Sequence, residues 1–124
     1  RNISQIYNKH LKASGEKINA NQVSILVTIS QIDDGSISQI SNQLKMERTT
    51  LTRNLNVLKQ SGWVKSNTGS DGRFIYINLT AKGNKVLSKV FPHWQLAQDQ
   101  VKKILGEELD SFRKNLKNIN TNLI

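Results

Sequence analysis

Apolar residues recur at intervals of three or four over most of this chain, which is the spacing of one face of an α-helix. The stretch from residue 1 to about residue 12 has this spacing and ends at Ala13-Ser14-Gly15, so we expect a short amphipathic helix there. A second helix is predicted from Asn19, a good N-cap, with Gln22 three residues later to complete a capping box. It is expected to end at the turn cluster Asp33-Asp34-Gly35.

Two further helices follow, joined by a tight turn. Ser36 and Gln39 repeat the capping-box pattern, so a third helix of about nine residues is predicted there. Lys45-Met46 is the joint to a fourth helix, which is expected to end at Ser61-Gly62. Two helices with such a short connection form a helix-turn-helix pattern, which is a weak signal on its own.

The spacing changes from helical to alternating after Gly62. Residues 63–68 and 73–79 read as strands, and the polar residues 69–72 between them read as a turn. This arrangement predicts a β-hairpin. A hairpin that directly follows a helix-turn-helix is a winged helix, and the combination is much more specific than either half.

Helical spacing returns after the hairpin. Thr80 is the expected cap of a helix over residues 81–105, which Pro92 should bend near residues 88–89. Gly106-Glu107-Glu108 is expected to begin a separate last helix, because acids suit the N-terminal dipole. The terminal helices carry more apolar surface than a winged helix of about 65 residues can cover, so we expect a partner, most simply a second copy of the chain.

The fourth helix separates apolar from polar side chains. Leu51, Leu55 and Leu58 fall within about 60° of one another on one face. The opposite face carries hydroxyl, amide and guanidinium groups, which can reach phosphates and base edges in a major groove. It has no acid after Glu47, and we expect no apolar side chain there that could anchor a protein partner. If this segment is considered alone, the alternative to a DNA-binding helix is an amphipathic helix whose polar face contacts only solvent. The candidate DNA-contacting residues of this helix are Arg48, Thr49, Thr50, Thr52, Arg53 and Asn56.

Charge strengthens the nucleic-acid interpretation. The 124 residues contain 18 Lys and Arg against 9 Asp and Glu, for a net charge of +9. Between Gly35 and Gln98 the only acids are Glu47 and Asp71. The same stretch contains Lys45, Arg48, Arg53, Lys59, Lys65, Arg73, Lys82, Lys85 and Lys89. A basic head of this kind suits a polyanionic partner.

Composition also excludes several classes of protein. Without cysteine there is no disulfide framework, thiolate nucleophile or thiol redox sensor. No apolar run approaches the ~20 residues of a membrane span and no signal peptide is visible, so we expect a cytoplasmic protein without a membrane partner. His10 and His93 are too few and too far apart to indicate a metal site, and no catalytic constellation is present; we expect neither a cofactor nor an enzyme. The chain starts at Arg1 rather than Met, so we expect residues upstream of it.

From the helix start at Asn19 to the last helix, the sequence resembles the MarR (multiple antibiotic resistance regulator) family of bacterial transcription factors. The most specific matching segments are Arg48-Thr49-Thr50-Leu51-Thr52-Arg53, Ser61-Gly62-Trp63-Val64, Asp71-Gly72-Arg73 and Leu79-Thr80-Ala81-Lys82-Gly83. The resemblance implies that the helix-turn-helix reads the major groove and that an Asp-x-Arg wing lies over the neighbouring minor groove.

By that similarity Arg73 enters the minor groove and Asp71 braces the wing, by pairing with a nearby arginine. Lys65 and Ser70 are the other candidate wing contacts. Gly72 stands where the family commonly has a second basic residue, so this wing is expected to bind more weakly or to be aimed differently. Trp63 replaces the more usual leucine, which predicts extra packing beneath the wing.

The phosphate contacts are expected around the third helix. Ser36, Ser38 and Gln39 lie at its start, where backbone amides are available to a phosphate. Lys45 and Arg48 are expected to contact phosphates rather than bases. The family also often binds a small anionic or aromatic effector between the dimer region and the DNA-binding head. Phe91 and Trp94 are candidates to line such a pocket, and packing between helices is an equally good interpretation of both.

We therefore expect a mainly α protein with a small β-hairpin wing (α+β), forming a single domain over residues 1–124. Residues 19–79 would be the winged helix-turn-helix head, and residues 1–13 and 80–124 the dimerisation helices. The expected function is a homodimeric, ligand-responsive repressor that binds a pseudo-palindromic operator in double-stranded DNA. The alternatives are a winged-helix protein-interaction module and a sequence-indifferent, nucleoid-type DNA binder.

Overall fold

The computed structural model describes residues 3–33, 35–70 and 72–123, with side chains up to residue 116. Within these residues the chain is mainly helical with one antiparallel hairpin, as predicted. The elements are α1 (Ile3–Lys12), α2 (Ala20–Gln31), α3 (Ile37–Leu44), α4 (Arg48–Gln60), β1 (Val64–Thr68), β2 (Ile75–Leu79) and α5 (Ala81–Leu123).

Both predicted capping boxes are present. The Gln22 backbone N–H donates to Asn19 Oδ1 over 2.9 Å, and the Asn19 N–H donates to Gln22 Oε1 over 3.1 Å. Ser36 and Gln39 form the same reciprocal pair, with both bonds at 3.2 Å. These bonds satisfy amides that the first turn of a helix leaves without partners, which is why α2 and α3 begin where they do.

Helix α2 is the centre of the fold. Its side chains Val23, Ile25, Leu26 and Ile29 are all buried. The helix packs against α1, α3, α4, α5 and β2, so the head and the long terminal helix share one apolar core. Burial on nearly every side explains why α2 is apolar around most of its circumference.

The hairpin has a third, very short partner that the sequence analysis did not anticipate. β1 pairs with β2 in a register that runs from Val64 opposite Leu79 to Thr68 opposite Ile75. In addition, Ser36 forms an isolated bridge with Tyr76, and the Ile77 N–H donates to the Gly35 carbonyl over 3.0 Å. The base of the wing is therefore hydrogen-bonded to the segment that begins α3.

The predicted break at Gly106 is wrong. α5 is one helix from Ala81 to Leu123 and includes both Pro92 and Gly106. An interior glycine costs a helix only about 1 kcal/mol, and the strong helix formers around Gly106 outweigh that cost. The bend expected near residues 88–89 stays a prediction.

The end of α4 and the start of α5 meet at a tight junction. Thr80 caps α5, as predicted, because its Oγ1 accepts the Gly83 N–H over 3.0 Å. The same hydroxyl donates to the Gly62 carbonyl over 2.5 Å, and the Thr80 N–H donates to the Trp63 carbonyl over 3.0 Å. Trp63 is buried, as expected for packing beneath the wing. A Cβ atom on Gly83 would overlap the Trp63 carbonyl oxygen, so glycine is required there.

Part of α5 carries an apolar stripe that the described residues leave exposed. Its members are spaced by four, three and four residues, so they share one face of the helix. They are Leu105, Leu109, Phe112 and Leu116, each between 45% and 58% exposed. In the part of the chain that the structure describes, no helix is long and apolar enough to cross a membrane.

Candidate nucleic-acid interface

The turn between α3 and α4 is held by one serine. Ser41 Oγ donates to the Met46 carbonyl over 2.7 Å, and the Met46 N–H donates to the Ser41 carbonyl over 3.1 Å. Between them Lys45 adopts the left-handed conformation, with φ at 51°, which is uncommon for a residue with a Cβ atom. The two Ser41 bonds compensate for this strain and fix the direction in which α4 leaves the turn.

The predicted division of α4 into two faces is confirmed. Leu51, Leu55 and Leu58 are at most 1% exposed. On the other side, five exposed polar side chains border one shallow open depression. They are Arg48, Thr49, Thr52, Arg53 and Asn56. Five of the six candidate residues of this helix are thus brought onto one surface.

Thr50 is the exception among the candidates. It is only partly exposed, and its carbonyl accepts a hydrogen bond from Asn54 Nδ2 over 3.0 Å. A contact between Thr50 and DNA stays a prediction.

The two arginines of α4 are available to a polyanion. Neither Arg48 nor Arg53 makes an ion pair with any residue that the structure describes; the ion pair found there joins Lys89 to Glu16 over 3.3 Å, away from this face. Glu47, the N-cap residue, is exposed and makes no capping hydrogen bond through its side chain. Exposed and unneutralised guanidinium groups can bind phosphates or the O6 and N7 atoms of guanine.

At the start of α3 the capping box limits which groups can contact a phosphate. The backbone amides of Ser36 and Gln39 already donate within the cap, to Gln39 Oε1 and Ser36 Oγ respectively. Ser38 is exposed and takes no part in the cap. Of the three residues predicted here, Ser38 is therefore the one best able to donate to a phosphate.

The wing supplies a second set of exposed polar residues. Lys65, Ser70 and Arg73 are all exposed. The tip is closed by a bond from the Gly69 N–H to the Phe74 carbonyl over 3.0 Å and by another from the Gly72 N–H to the Gly69 carbonyl over 2.9 Å. Asp71 lies outside the described residues, so its bracing role stays a prediction.

The backbone explains why Gly72 replaces the basic residue that the family pattern favours. Its φ is +71°, in the left-handed region that a side chain rarely adopts. No atom would obstruct a Cβ there, so the restriction comes from the backbone conformation and not from space. Glycine permits this turn but carries no charge, so the wing lacks a second basic residue at this position.

The two aromatic candidates for an effector pocket contact each other. The ring centroids of Phe91 and Trp94 are 5.8 Å apart. Trp94 belongs to the buried core, whereas Phe91 is 40% exposed beside it. The structure thus gives Trp94 the packing role, and an effector pocket at this pair stays a prediction. No group of three or more potential metal ligands is found among the described residues.

The structure adds one residue that the sequence analysis missed. Val57 is 44% exposed, so the expectation that the outward face of α4 has no apolar side chain is wrong. It follows Arg53 by four residues and therefore lies on the same side of the helix. The helical projection used for the leucines contained this signal, because Val57 falls about 100° away from Leu58.

Comparison with known proteins identifies the family to which the chain belongs. The sequence model of the MarR family matches residues 18–73. The transcriptional repressor MprA of Escherichia coli K12 is 35% identical over 88 residues, which are 68% of this chain and 49% of MprA. The chain thus spans about half the length of the curated relatives it matches.

Solved structures match over a larger share of their length. The M. tuberculosis transcriptional regulator MosR, crystallised in complex with DNA, is 35% identical with a TM-score of 0.72, and the match covers 92% of this chain and 84% of MosR. Overoxidized AbfR bound to DNA is 32% identical with a TM-score of 0.66, over 91% of this chain and 82% of AbfR. Sequence, fold and the exposed basic helix agree: this chain belongs to the MarR family of transcriptional regulators.

Proposed function

We propose that this chain is a sequence-specific regulator that binds double-stranded DNA through α4 and the wing. The observation that carries the proposal is the exposed face of α4, on which Arg48 and Arg53 lie among threonine and asparagine side chains. The helix is fixed by the Ser41 turn on one side and by the junction at Thr80 on the other. MosR and AbfR, both solved with DNA, support the same assignment.

The wing would extend the contact beyond the groove that α4 enters. Arg73 would reach the minor groove, with Ser70 beside it at the tip and Lys65 nearer the base of the hairpin on phosphates. The bridge between Ser36 and Tyr76 supports this division, because it ties the base of the wing to the start of α3. Ser38, Lys45 and the wing would then hold the backbone while α4 reads bases.

The active form would be a homodimer. Residues 19–79 would form the head, and residues 1–13 and 80–124 the dimerisation region. The uncovered stripe from Leu105 to Leu116 supports this, since a second copy of the helix would bury it. Two heads would then lie about one turn of DNA apart on a pseudo-palindrome.

The regulator would act in the cytoplasm as a repressor that a small molecule releases. MprA, which is named a repressor, supports this direction of control. An effector would act by favouring a dimer whose heads are spaced wrongly for the operator. Half-exposed Phe91 is the aromatic residue that could contact it.

Selection of duplexes from a random pool tests the proposal. We expect the purified protein to enrich an inverted repeat whose half-sites lie about 10 base pairs apart. Binding of all sequences alike would favour the nucleoid-type alternative, and absence of DNA binding would favour the protein-interaction module. Either result would contradict the proposed function.

A further inference from the structure

Val57 is an exposed apolar side chain that borders the surface we assign to DNA. It is 44% exposed, while the three leucines on the other side of α4 are at most 1% exposed. A single exposed apolar residue is common on any protein surface. This one, however, lies one helical turn after Arg53 on a face that is otherwise polar and free of acids beyond Glu47.

The major groove has one feature that polar side chains read poorly. Thymine presents a C5-methyl group there, which is recognised by apolar contact and not by a hydrogen bond. The exposed methyl groups of Val57 are suited to this contact. Along α4, four residues correspond to about 6 Å, which is the length of about two base-pair steps.

We propose that Val57 is a specificity-determining residue that contacts the methyl group of a thymine within about two base pairs of the base that Arg53 contacts. This inference rests on the proposed function, because it requires α4 to lie in the major groove. It adds an apolar reader to a helix whose other candidates act through hydrogen bonds and charge.

Replacement of thymine by deoxyuridine tests the contact, because it removes only the methyl group. Each thymine of the selected operator is replaced in turn, and the affinities of the wild-type and Val57→Ala proteins are compared. At one position in each half-site we expect the wild type to lose about fourfold in affinity, the effect of one methyl-sized contact. On the thymine duplex, Val57→Ala should bind more weakly than the wild type by a similar factor. On the deoxyuridine duplex, the two proteins should bind with equal affinity.

The matched control is a substitution of a threonine on α4, because the threonine side chain also carries a methyl group. Thr52→Ala removes an exposed side chain from the same surface and should retain the deoxyuridine effect at the position assigned to Val57. Thermal unfolding of both variants checks that the fold is intact.

Three results would overturn the inference: no thymine position sensitive to deoxyuridine, undiminished sensitivity in Val57→Ala, or loss of the sensitivity in Thr52→Ala instead. In each of these the protein still selects and binds an operator, so the proposed function stands. If no duplex is preferred in the first place, the proposed function fails and this inference fails with it.

Discussion

At Gly83 two backbone segments come so close that a single methyl group decides whether they fit. The Trp63 carbonyl oxygen occupies the space that a Cβ atom would need, and the same carbonyl accepts the Thr80 N–H. The segment Leu79-Thr80-Ala81-Lys82-Gly83 matches a family motif. Its physical reason is this contact, which residue spacing alone cannot reveal.

We expect Gly83→Ala to destabilise the protein by roughly 2–3 kcal/mol, the cost of forcing atoms into a packed site. Gly106→Ala is the matched control, because Gly106 lies in the same helix and no atom lies within 4 Å of its added Cβ. That change should stabilise by about 0.5–1 kcal/mol. Urea unfolding at one fixed protein concentration measures both. Equal changes in the free energy of unfolding for the two substitutions would contradict the close contact between Gly83 and the Trp63 carbonyl.

Arg53 and Arg48 are expected to differ in what they contact. Arg53 lies near the middle of the exposed face, so Arg53→Ala should cost about 1–3 kcal/mol on the operator and relax the sequence preference at one position. Arg48→Ala should weaken binding to all sequences alike and reduce the salt slope by about one. Titrations of operator and scrambled duplexes over a salt series distinguish the two roles. A uniform loss in Arg53→Ala would make it a phosphate contact.

At the scale of elements, local capping patterns predicted where α2 and α3 begin, whereas long-range pairing and the length of α5 could not be predicted. The capping boxes at Asn19 and Ser36 lie within four residues, so the sequence contains all of their partners. The bridge from Ser36 to Tyr76 joins segments 40 residues apart, and no spacing rule predicts it. The break at Gly106 was predicted from local propensity, which a long helix overrides.

The capping role of Ser36 and the proposed phosphate contact of Ser38 can be separated by mutation. Ser36→Ala removes the side-chain acceptor of the Gln39 amide and should destabilise the fold by about 1 kcal/mol. Ser38→Ala, two residues later on the exposed surface, should leave stability within about 0.5 kcal/mol of the wild type and weaken binding to all duplexes. Thermal unfolding and DNA titration together measure the contrast. A stability loss in Ser38→Ala equal to that in Ser36→Ala would contradict it.

At the scale of the whole molecule, α5 connects the part that would read DNA to the part that would set its spacing. Its first turn is bonded to the end of α4 through Thr80, and it carries the uncovered stripe farther along. The apolar stripe of Leu109, Phe112 and Leu116 was predicted from the sequence, on a separate last helix. Its continuity with the helix that Thr80 caps was not predicted, because the break was expected at Gly106.

We expect Phe112→Ser to shift the protein from dimer to monomer, because Phe112 is 58% exposed at the centre of the stripe. The monomer should bind the full operator much more weakly than the dimer does. Phe74→Ser removes an equally large side chain, 50% exposed on the wing, and should leave the dimer intact. Sedimentation velocity measures the two variants. A dimer that survives Phe112→Ser with unchanged affinity would contradict the role of the stripe.

The most direct test of the account is a competition experiment at physiological salt. A labelled operator from the selection is bound to the protein and displaced by unlabelled operator or by a scrambled duplex of the same composition. We expect the scrambled duplex to compete at least about 10³-fold less well than the operator. Equal competition by the two duplexes would contradict sequence-specific recognition by the exposed face of α4.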